Sequence, residues 1–323
     1  MSSQANLSSK EPQSQSQSQS QSQETHTEFT SKKSYTEESR ALRFCRYCKR
    51  NPNFLIGLTM LISLLLYSFV GRIFWSLEMA EPLSGIPSMP PSLDHPFGTD
   101  TQGRDVLAIT MAGTWLTIRT GVLAAGLGTV IGCVLGFLAG FLGGWVDNLI
   151  NWAVDVLLTV PAILVLVVIA SSVQGQLSSL SMAFIIALLA WRRPTRQIRS
   201  QVLILRNMGY VNTARISGMG NLEIIFRELM PNLLPYLVSV FVMAVSAAIL
   251  AAVGLQAMGL GPQNEPTLGM TVYWIMYYSA FLQGLWWWII PPISVLVVLF
   301  VGFYLFSEGL DEFSNPRIRA RGN

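Results

Sequence analysis

The chain has 323 residues, of which 51% are hydrophobic and 12% are Asp, Glu, Lys or Arg, and its formal net charge is +3. A soluble domain carries roughly 25% charged residues, so this composition excludes a water-solvated surface over most of the chain. The mean hydropathy of +0.45 and the long apolar runs predict a protein with several membrane-spanning helices.

The composition also excludes several chemistries. All lysines lie within the first 49 residues, so the rest of the chain has no G-x-x-x-x-G-K-[ST] phosphate-binding loop. With only His26 and His95, a histidine-rich metal site and a Ser-His-Asp relay are excluded. Cys45 and Cys48 form a C-x-x-C without a second pair of ligands, and Cys133 lies in an apolar run. We therefore expect reduced thiols, no catalytic residue and no bound metal.

Residues 1–40 consist of Ser, Gln, Thr, Glu and Lys with almost no aliphatic side chains. Such a segment cannot bury enough apolar area to offset its ordering entropy, so it is predicted to be a disordered cytoplasmic tail. The tail is too long, and the apolar run that follows is too long, for a cleaved signal peptide. Residues 41–323 are predicted to form the membrane domain.

Six apolar runs are long enough to cross about 30 Å of hydrocarbon. They cover about residues 54–75, 117–142, 149–173, 180–198, 232–260 and 286–307. The third run contains Asp155 and Pro161, and the fourth meets Arg192 and Arg193. Because such defects are tolerated where neighbouring protein covers them, both runs are predicted to pack inside a bundle. The predicted fold is an all-α membrane protein with six transmembrane helices.

Basic residues cluster before the first run, between the fourth and fifth runs, and at the C-terminus. With six spans these clusters fall on one face of the membrane, which the positive-inside rule assigns to the cytoplasm. Both termini are therefore predicted to be cytoplasmic. Because every cluster adjoins a span, this rule explains the charges better than nucleic-acid binding does.

The loop between the first and second runs carries a compact polar motif. Its residues are His95, Gly98, Asp100, Gly103, Arg104 and Asp105. The glycines permit turns, Asp100 or Thr101 can cap, and Asp105 with Arg104 begins the next helix. His95 and the acidic residues could alternatively hold a metal, but turn and cap chemistry explains the same residues.

A glycine recurs at every fourth position along the second run. These residues are Gly128, Gly132, Gly136, Gly140 and Gly144. In a helix they lie on one face and let another backbone approach closely, so we predict a helix-packing face. A helix pliable enough to rock is the alternative interpretation.

The segment of about residues 199–231 is predicted to project from the membrane on the cytoplasmic side. Ala214 and Arg215 belong to a short amphipathic helix, Gly218 ends it, and a second amphipathic stretch begins at Leu222. An apolar and basic surface outside the bilayer is typical of docking onto a partner, with adhesion to the membrane surface as the alternative.

Aromatic residues concentrate near the end of the chain. They are Tyr273, Trp274, Tyr277, Tyr278, Trp286, Trp287 and Trp288. Trp and Tyr favour the bilayer interface, so an outer-face belt is predicted, and a surface on which a ligand stacks is the alternative.

The projecting segment resembles the coupling loop of bacterial ABC importer permeases, which reads Glu-Ala-Ala, three residues, Gly and later a hydrophobic-Pro pair. The corresponding residues are Asn212, Thr213, Ala214, Arg215, Gly218, Met230 and Pro231. The motif at 95–106 and the G-G-W-V-D at 143–147 are similar to the C-type permease of the dipeptide, oligopeptide and nickel importers. The chain departs from the family pattern at Asn212 and Thr213, so a salt link to the ATPase is expected to be absent or water-mediated there.

The resemblance implies a type I permease fold with a cytoplasmic coupling helix, in the plasma membrane of a prokaryote. It implies a homologous second permease, two ATP-binding subunits that hold ATP and Mg²⁺, and an extracytoplasmic substrate-binding protein. Peptides are the expected substrate, with oligosaccharides or nickel chelates as alternatives. A secondary transporter driven by an ion gradient is the competing class, and it predicts ionisable residues at mid-depth, for which only Asp155 is a candidate.

Overall fold

The structure is a computed structural model that describes residues 51–173 and 175–314. The predicted polar tail, Cys45, Cys48 and the basic residues at the C-terminus lie outside the described residues. Within them the chain is helical, and its β pairing amounts to a single bridge between Thr99 and Asp105.

Ten helices carry the described part of the chain, together with a short 3-10 helix at Leu77–Ala80. They are α1 (Pro52–Phe74), α2 (Val106–Leu142), α3 (Gly144–Thr159), α4 (Ala162–Ser172), α5 (Ser179–Ala190), α6 (Arg192–Leu205), α7 (Gly209–Ile216), α8 (Asn221–Ala257), α9 (Leu268–Tyr277) and α10 (Trp286–Ser314). All six predicted apolar runs lie on helices.

Four of these helices, α1, α2, α8 and α10, are long and apolar enough to cross a membrane by themselves. The third predicted run is the pair α3 and α4, which bends by 84° and makes a fifth span if counted as one. The fourth run is divided into α5, an apolar helix of 12 residues, and the polar α6. Pro161 in the first case and Arg192 in the second mark the places where the apolar helix stops.

Helix α2 begins at Val106, directly after Asp105 as the loop motif predicted, although the apolar run itself starts only near residue 117. Asp105 explains the difference, because one of its carboxylate oxygens accepts the backbone N–H of Ala108 at 2.8 Å and so caps the helix. A helix can begin with a capped polar turn before the apolar stretch that a hydropathy count detects.

The prediction that both defective runs pack inside the bundle is wrong for α3 within this chain. Of the residues of α3, only Val154 is buried, whereas α5 buries most of its side chains, including Met182 and Ile186. Helix α3 instead lies against α6 through polar contacts, since Arg196 bonds Asp155 at 2.9 Å.

The second amphipathic stretch of the predicted coupling loop is not a separate helix. It is the start of α8, which runs without interruption through Pro231 and Pro235 to Ala257. A π-helical turn at Ile225–Leu229 precedes the first proline, and the N–H of Met230 bonds the carbonyl of Ile225. The loop between α6 and α8 is therefore shorter than predicted, and α7 is its only helix.

The two larger hydrophobic clusters of the described residues join most of the helices. The larger, central core joins α1, α2, α4, α5, α8 and α10 around fully buried residues such as Ile249, Leu255 and Leu299. The second, which we name the coupling-end core, joins α2, α6, α7 and the start of α8. Its buried members are Phe137, Phe141, Ile198, Val202, Val211, Ala214, Ile224, Ile225, Leu229, Leu233 and Val240.

Candidate functional site

The predicted coupling helix α7 stands on the coupling-end core. Val211 and Ala214 are the buried residues of α7, one turn apart, and they share this cluster with Phe141 of α2 and Val202 of α6. Burial raises the pKa of the phenol of Tyr210, which precedes Val211 on α7 and packs against the same cluster. Helix α7 is thus attached to α2 and α6 through apolar contacts, which transmit displacement because a packed core is not easily compressed.

Gly218 ends α7 in the left-handed conformation, with φ at +83°. The N–H of Gly218 bonds the carbonyl of Arg215 at 3.0 Å, and the N–H of Met219 bonds the carbonyl of Ala214 at 3.2 Å. These two bonds form a Schellman motif, and Met219 packs against the coupling-end core beside it. The predicted turn glycine is required here by backbone conformation.

The other predicted coupling residues divide into exposed and attached groups. Asn212 and Thr213 are exposed, and the Thr213 hydroxyl bonds the carbonyl of Gly209 at 3.1 Å. The guanidinium carbon of Arg215 lies 5.2 Å from the centre of the Phe141 ring, a distance that allows a cation–π contact. The structure places the predicted Met230 and Pro231 inside α8, beyond the turn.

Sequence reasoning missed three exposed apolar side chains around this turn. Ile216 is 88% exposed, Leu222 is 63% exposed and Phe226 is 60% exposed. Leu222 and Phe226 are four residues apart and share a face of α8. The sequence contained a signal for these three residues, because each lies outside the apolar face that α7 or α8 buries in the coupling-end core. We name these residues the turn surface.

Four of the predicted packing glycines meet α5 and α6 closely. A Cβ on Gly128 would lie 2.5 Å from the Cβ of Ala190, and one on Gly132 would lie 2.6 Å from the Cβ of Pro194. Gly136 and Gly140 approach α6 further along in the same way. Gly144 does not belong to this face, because α2 ends at Leu142 and a Cβ at Gly144 would meet nothing within 4 Å. That part of the prediction is wrong.

Ion pairs that the sequence analysis did not predict join α3 to α6. Nε and Nη2 of Arg199 donate to the two carboxylate oxygens of Asp147 at 2.5 and 2.7 Å. Arg206 also donates to the carbonyl of Gly140 at 2.9 Å, at the end of α2. Bidentate Arg–carboxylate pairs hold two groups in one orientation. The basic cluster that positive-inside counting detected therefore also fastens α3 and α2 to α6.

The loop motif forms one hydrogen-bonded unit at the opposite end of the bundle, which we name the loop end. His95 Nδ1 lies 2.7 Å from a carboxylate oxygen of buried Asp105, whose other oxygen caps α2. Asp100 accepts the backbone N–H groups of Gln102 and Arg104 at 2.8 and 2.9 Å, and Nε of Arg104 at 2.7 Å. Both acidic residues thus use their oxygens within the loop.

The motif glycines allow this loop to close. Gly98 and Gly103 have φ of +68° and +75°, and a Cβ on Gly103 would lie 2.3 Å from the carbonyl oxygen of Gly85. Among the described residues, no group of three or more His, Cys, Asp or Glu side chains could hold a metal ion. The polar residues of the motif are those of a turn and a helix cap.

The late aromatic residues pack against this loop. Trp287 Nε1 donates to the carbonyl of Thr99 at 3.2 Å, and Gln102 Nε2 donates to the Tyr278 hydroxyl at 3.3 Å. Trp288 is fully buried, whereas Trp286 is 58% exposed. The prediction of an outer belt therefore does not describe Trp288, which is a core residue that packs in one cluster with Val106 of α2 and Ile275 of α9.

The chain is similar to known membrane transport proteins. Residues 132–320 match the family described as binding-protein-dependent transport system inner membrane component. The dipeptide transport system permease protein of Bacillus subtilis is 28% identical over 286 residues, which cover 88% of this chain and 87% of that protein. The oligopeptide transport system permease protein of Mycobacterium bovis is 29% identical over 232 residues, which cover 72% of this chain and 79% of that protein.

A solved structure has the same fold. The inward-facing MetNI methionine ABC transporter contains a chain that superposes with a TM-score of 0.52 at 19% identity, over 67% of this chain and 97% of that chain. The family match itself extends over more than half of this sequence and includes α3 to α10. The chain belongs to the family of binding-protein-dependent transport system inner membrane components, and it is a permease subunit of an ABC importer rather than an enzyme.

Proposed function

We propose that this permease imports peptides. Relatives named as dipeptide and oligopeptide permeases support this substrate class. In general, a permease of this kind works with another permease, ATPase subunits and a binding protein. In the proposed complex a homologous permease completes the path, two ATP-binding subunits hold ATP and Mg²⁺, and a binding protein delivers the peptide. This chain binds no cofactor.

The exposure of the turn surface is the observation that supports a role in coupling the permease to its ATPase. Ile216, Leu222 and Phe226 expose apolar area at a helical turn, and apolar area of this kind marks a protein contact when it lies outside the bilayer. Helix α7 beside it is packed onto α2 and α6, so a partner that displaces the turn also displaces these two helices. The proposal assigns this surface to an ATPase subunit.

The proposed orientation in the membrane rests on the basic residues at the end of the molecule that carries the turn surface. Arg193, Arg196, Arg206 and Arg215 lie on or next to α6 and α7, at the end that carries the turn surface. Under the positive-inside rule this coupling end is cytoplasmic and the loop end faces outward. Both termini are then cytoplasmic, in the plasma membrane of a prokaryote.

The test is purification of the chain from its own membranes in mild detergent, with mass spectrometry of the proteins that accompany it. We expect a second permease and ATPase subunits. Ile216→Ser should lower the recovered ATPase, while Leu282→Ser, which changes a side chain 84% exposed at the loop end, should not. Equal recovery in both variants would remove the turn surface from the proposal, and uptake of a sugar or a nickel chelate instead of a peptide would change the substrate.

A further inference from the structure

A cavity of about 340 Å³ lies between two connections, the one from α4 to α5 and the one from α8 to α9. Its size is within the range of small-molecule pockets, roughly 300–1,000 Å³. Asn264 is the last residue of the second connection that lines the cavity. Two residues later, Pro266 packs on α2 at Gly113, near the start of that helix. The second connection therefore places the cavity toward the loop end, on the side from which a delivered substrate arrives in the proposed function.

The cavity walls combine apolar and uncharged polar residues. The polar side chains that line it are Ser171, Gln176, Gln263 and Asn264, and glycines expose backbone between them. Among the residues that the structure describes, none of those that line the cavity is Asp, Glu, Lys, Arg or His. Amide side chains both donate and accept, as a peptide bond does, whereas a charged group would lack a counter-charge there. The chemistry suits the neutral backbone of a peptide.

One hydrogen bond beside the cavity joins the two connections. Asn264 Nδ2 donates to Gln176 Oε1 at 2.8 Å, and both residues are exposed. An exposed neutral bond contributes little to stability because water or another amide replaces it readily. This pair is therefore exchangeable with the N–H and C=O groups of a ligand.

The adjacent residue holds the two connections together independently of that bond. The Glu265 carboxylate accepts the backbone N–H of Ser179 at 3.1 Å and also its hydroxyl, at the first turn of α5. A carboxylate at a helix N-terminus is favourably placed. Opening the Asn264–Gln176 bond thus leaves the loops attached at Glu265.

We propose that this cavity is a contact site for the peptide backbone within the permease, where the substrate exchanges hydrogen bonds with Gln176 and Asn264. The inference rests on the proposed function, because it names the part of a peptide that this chain recognises. Side chains of the substrate point away from the site, and the permease accepts varied peptides because it binds the atoms that all peptides share.

The experiment uses the complete transporter with its own binding protein in proteoliposomes and measures ATP-driven uptake of labelled tri-alanine. A second substrate is tri-alanine methylated at its two peptide nitrogens, which has lost its peptide N–H donors. Gln176→Leu and Asn264→Leu are compared with the control Gln283→Leu. Gln283 is an exposed amide of the loop end that bonds the carbonyl of Tyr278, outside the cavity.

Each cavity variant is expected to lower tri-alanine uptake about fivefold, as loss of one hydrogen bond implies. Each should also reduce the preference for tri-alanine over the methylated peptide, whereas Gln283→Leu should change neither value. Because the binding protein is the same in all samples, its own selectivity cancels in this comparison.

The two proposals fail in different ways. If the unmodified transporter takes up no tri-alanine, the proposed function is wrong. If it takes up tri-alanine and the cavity variants retain its full rate and preference, the function stands and the cavity is not a contact site. A uniform loss of rate with unchanged preference also overturns the inference, because it indicates that the amides only position the loops.

Discussion

Replacing Gly218 with alanine tests whether the backbone of the coupling turn sets its function. A Cβ at this position would meet nothing within 4 Å, so the substitution adds no steric conflict. The cost comes from φ at +83°, which disfavours an L residue by about 1–2 kcal/mol. A cost of this size lowers the population of the native turn by roughly 5- to 30-fold relative to opened forms.

Gly209→Ala is the matched control. It adds the same methyl group at the other end of α7, also with nothing within 4 Å, but at a position that has no positive φ. Alanine is a better helix former than glycine, so this variant should be neutral or slightly stabilising. Gly218→Asn should lie between the two, because asparagine tolerates the left-handed conformation.

The assay is hydrogen exchange of the purified complex, followed over the peptide that contains Ala214 to Met219, together with peptide uptake per ATP hydrolysed. We expect faster exchange and a lower uptake ratio in Gly218→Ala, with the chain still inserted, and a larger effect for Gly218→Val. If Gly218→Ala and Gly209→Ala exchange and transport alike, backbone strain at the turn does not control coupling.

Three further predictions concern contacts between helices and the cap of α2. Gly132→Ala should lower the thermal midpoint of the complex through overpacking worth about 1–3 kcal/mol, while Gly126→Ala, where a Cβ meets nothing within 4 Å, should not. Asp147→Asn should weaken the partly buried pair with Arg199 by about 1 kcal/mol, and a double-mutant cycle of the two sites should show coupling. Asp105→Ala should cost about 1–2 kcal/mol through the lost helix cap, seen as a lower thermal midpoint, and an unchanged midpoint would contradict its assigned role.

Local signals in the sequence were sufficient for the helices and for the turn at Gly218. Apolar runs of about 20 residues define membrane helices because hydrocarbon requires every backbone group to bond within its own segment. A glycine after an amphipathic turn indicates a helix end because a left-handed residue is needed there. The start of the next helix at Asp105 was also predicted from local sequence, whereas the capping hydrogen bond of its carboxylate is known from the structure.

Contacts between distant segments could not be predicted in this way. The bidentate pair between Asp147 and Arg199 depends on α3 lying beside α6, and the Asn264–Gln176 bond joins residues 88 positions apart. Neither pair leaves a pattern in the spacing of residues along the chain. The exclusion of Gly144 from the packing face likewise depends on where α2 stops.

Composition and periodicity by themselves determined that this is a helical membrane protein, because the side chains of a segment decide whether it is stable in hydrocarbon or in water. Only the tertiary structure shows which parts of the predicted segments contact each other. It attached α7 to α2 and α6 through one apolar cluster, made α8 continuous through Pro231, and formed an uncharged cavity from two separate connections. The physical reason is that long-range packing and hydrogen bonding depend on three-dimensional proximity, which local propensity does not encode.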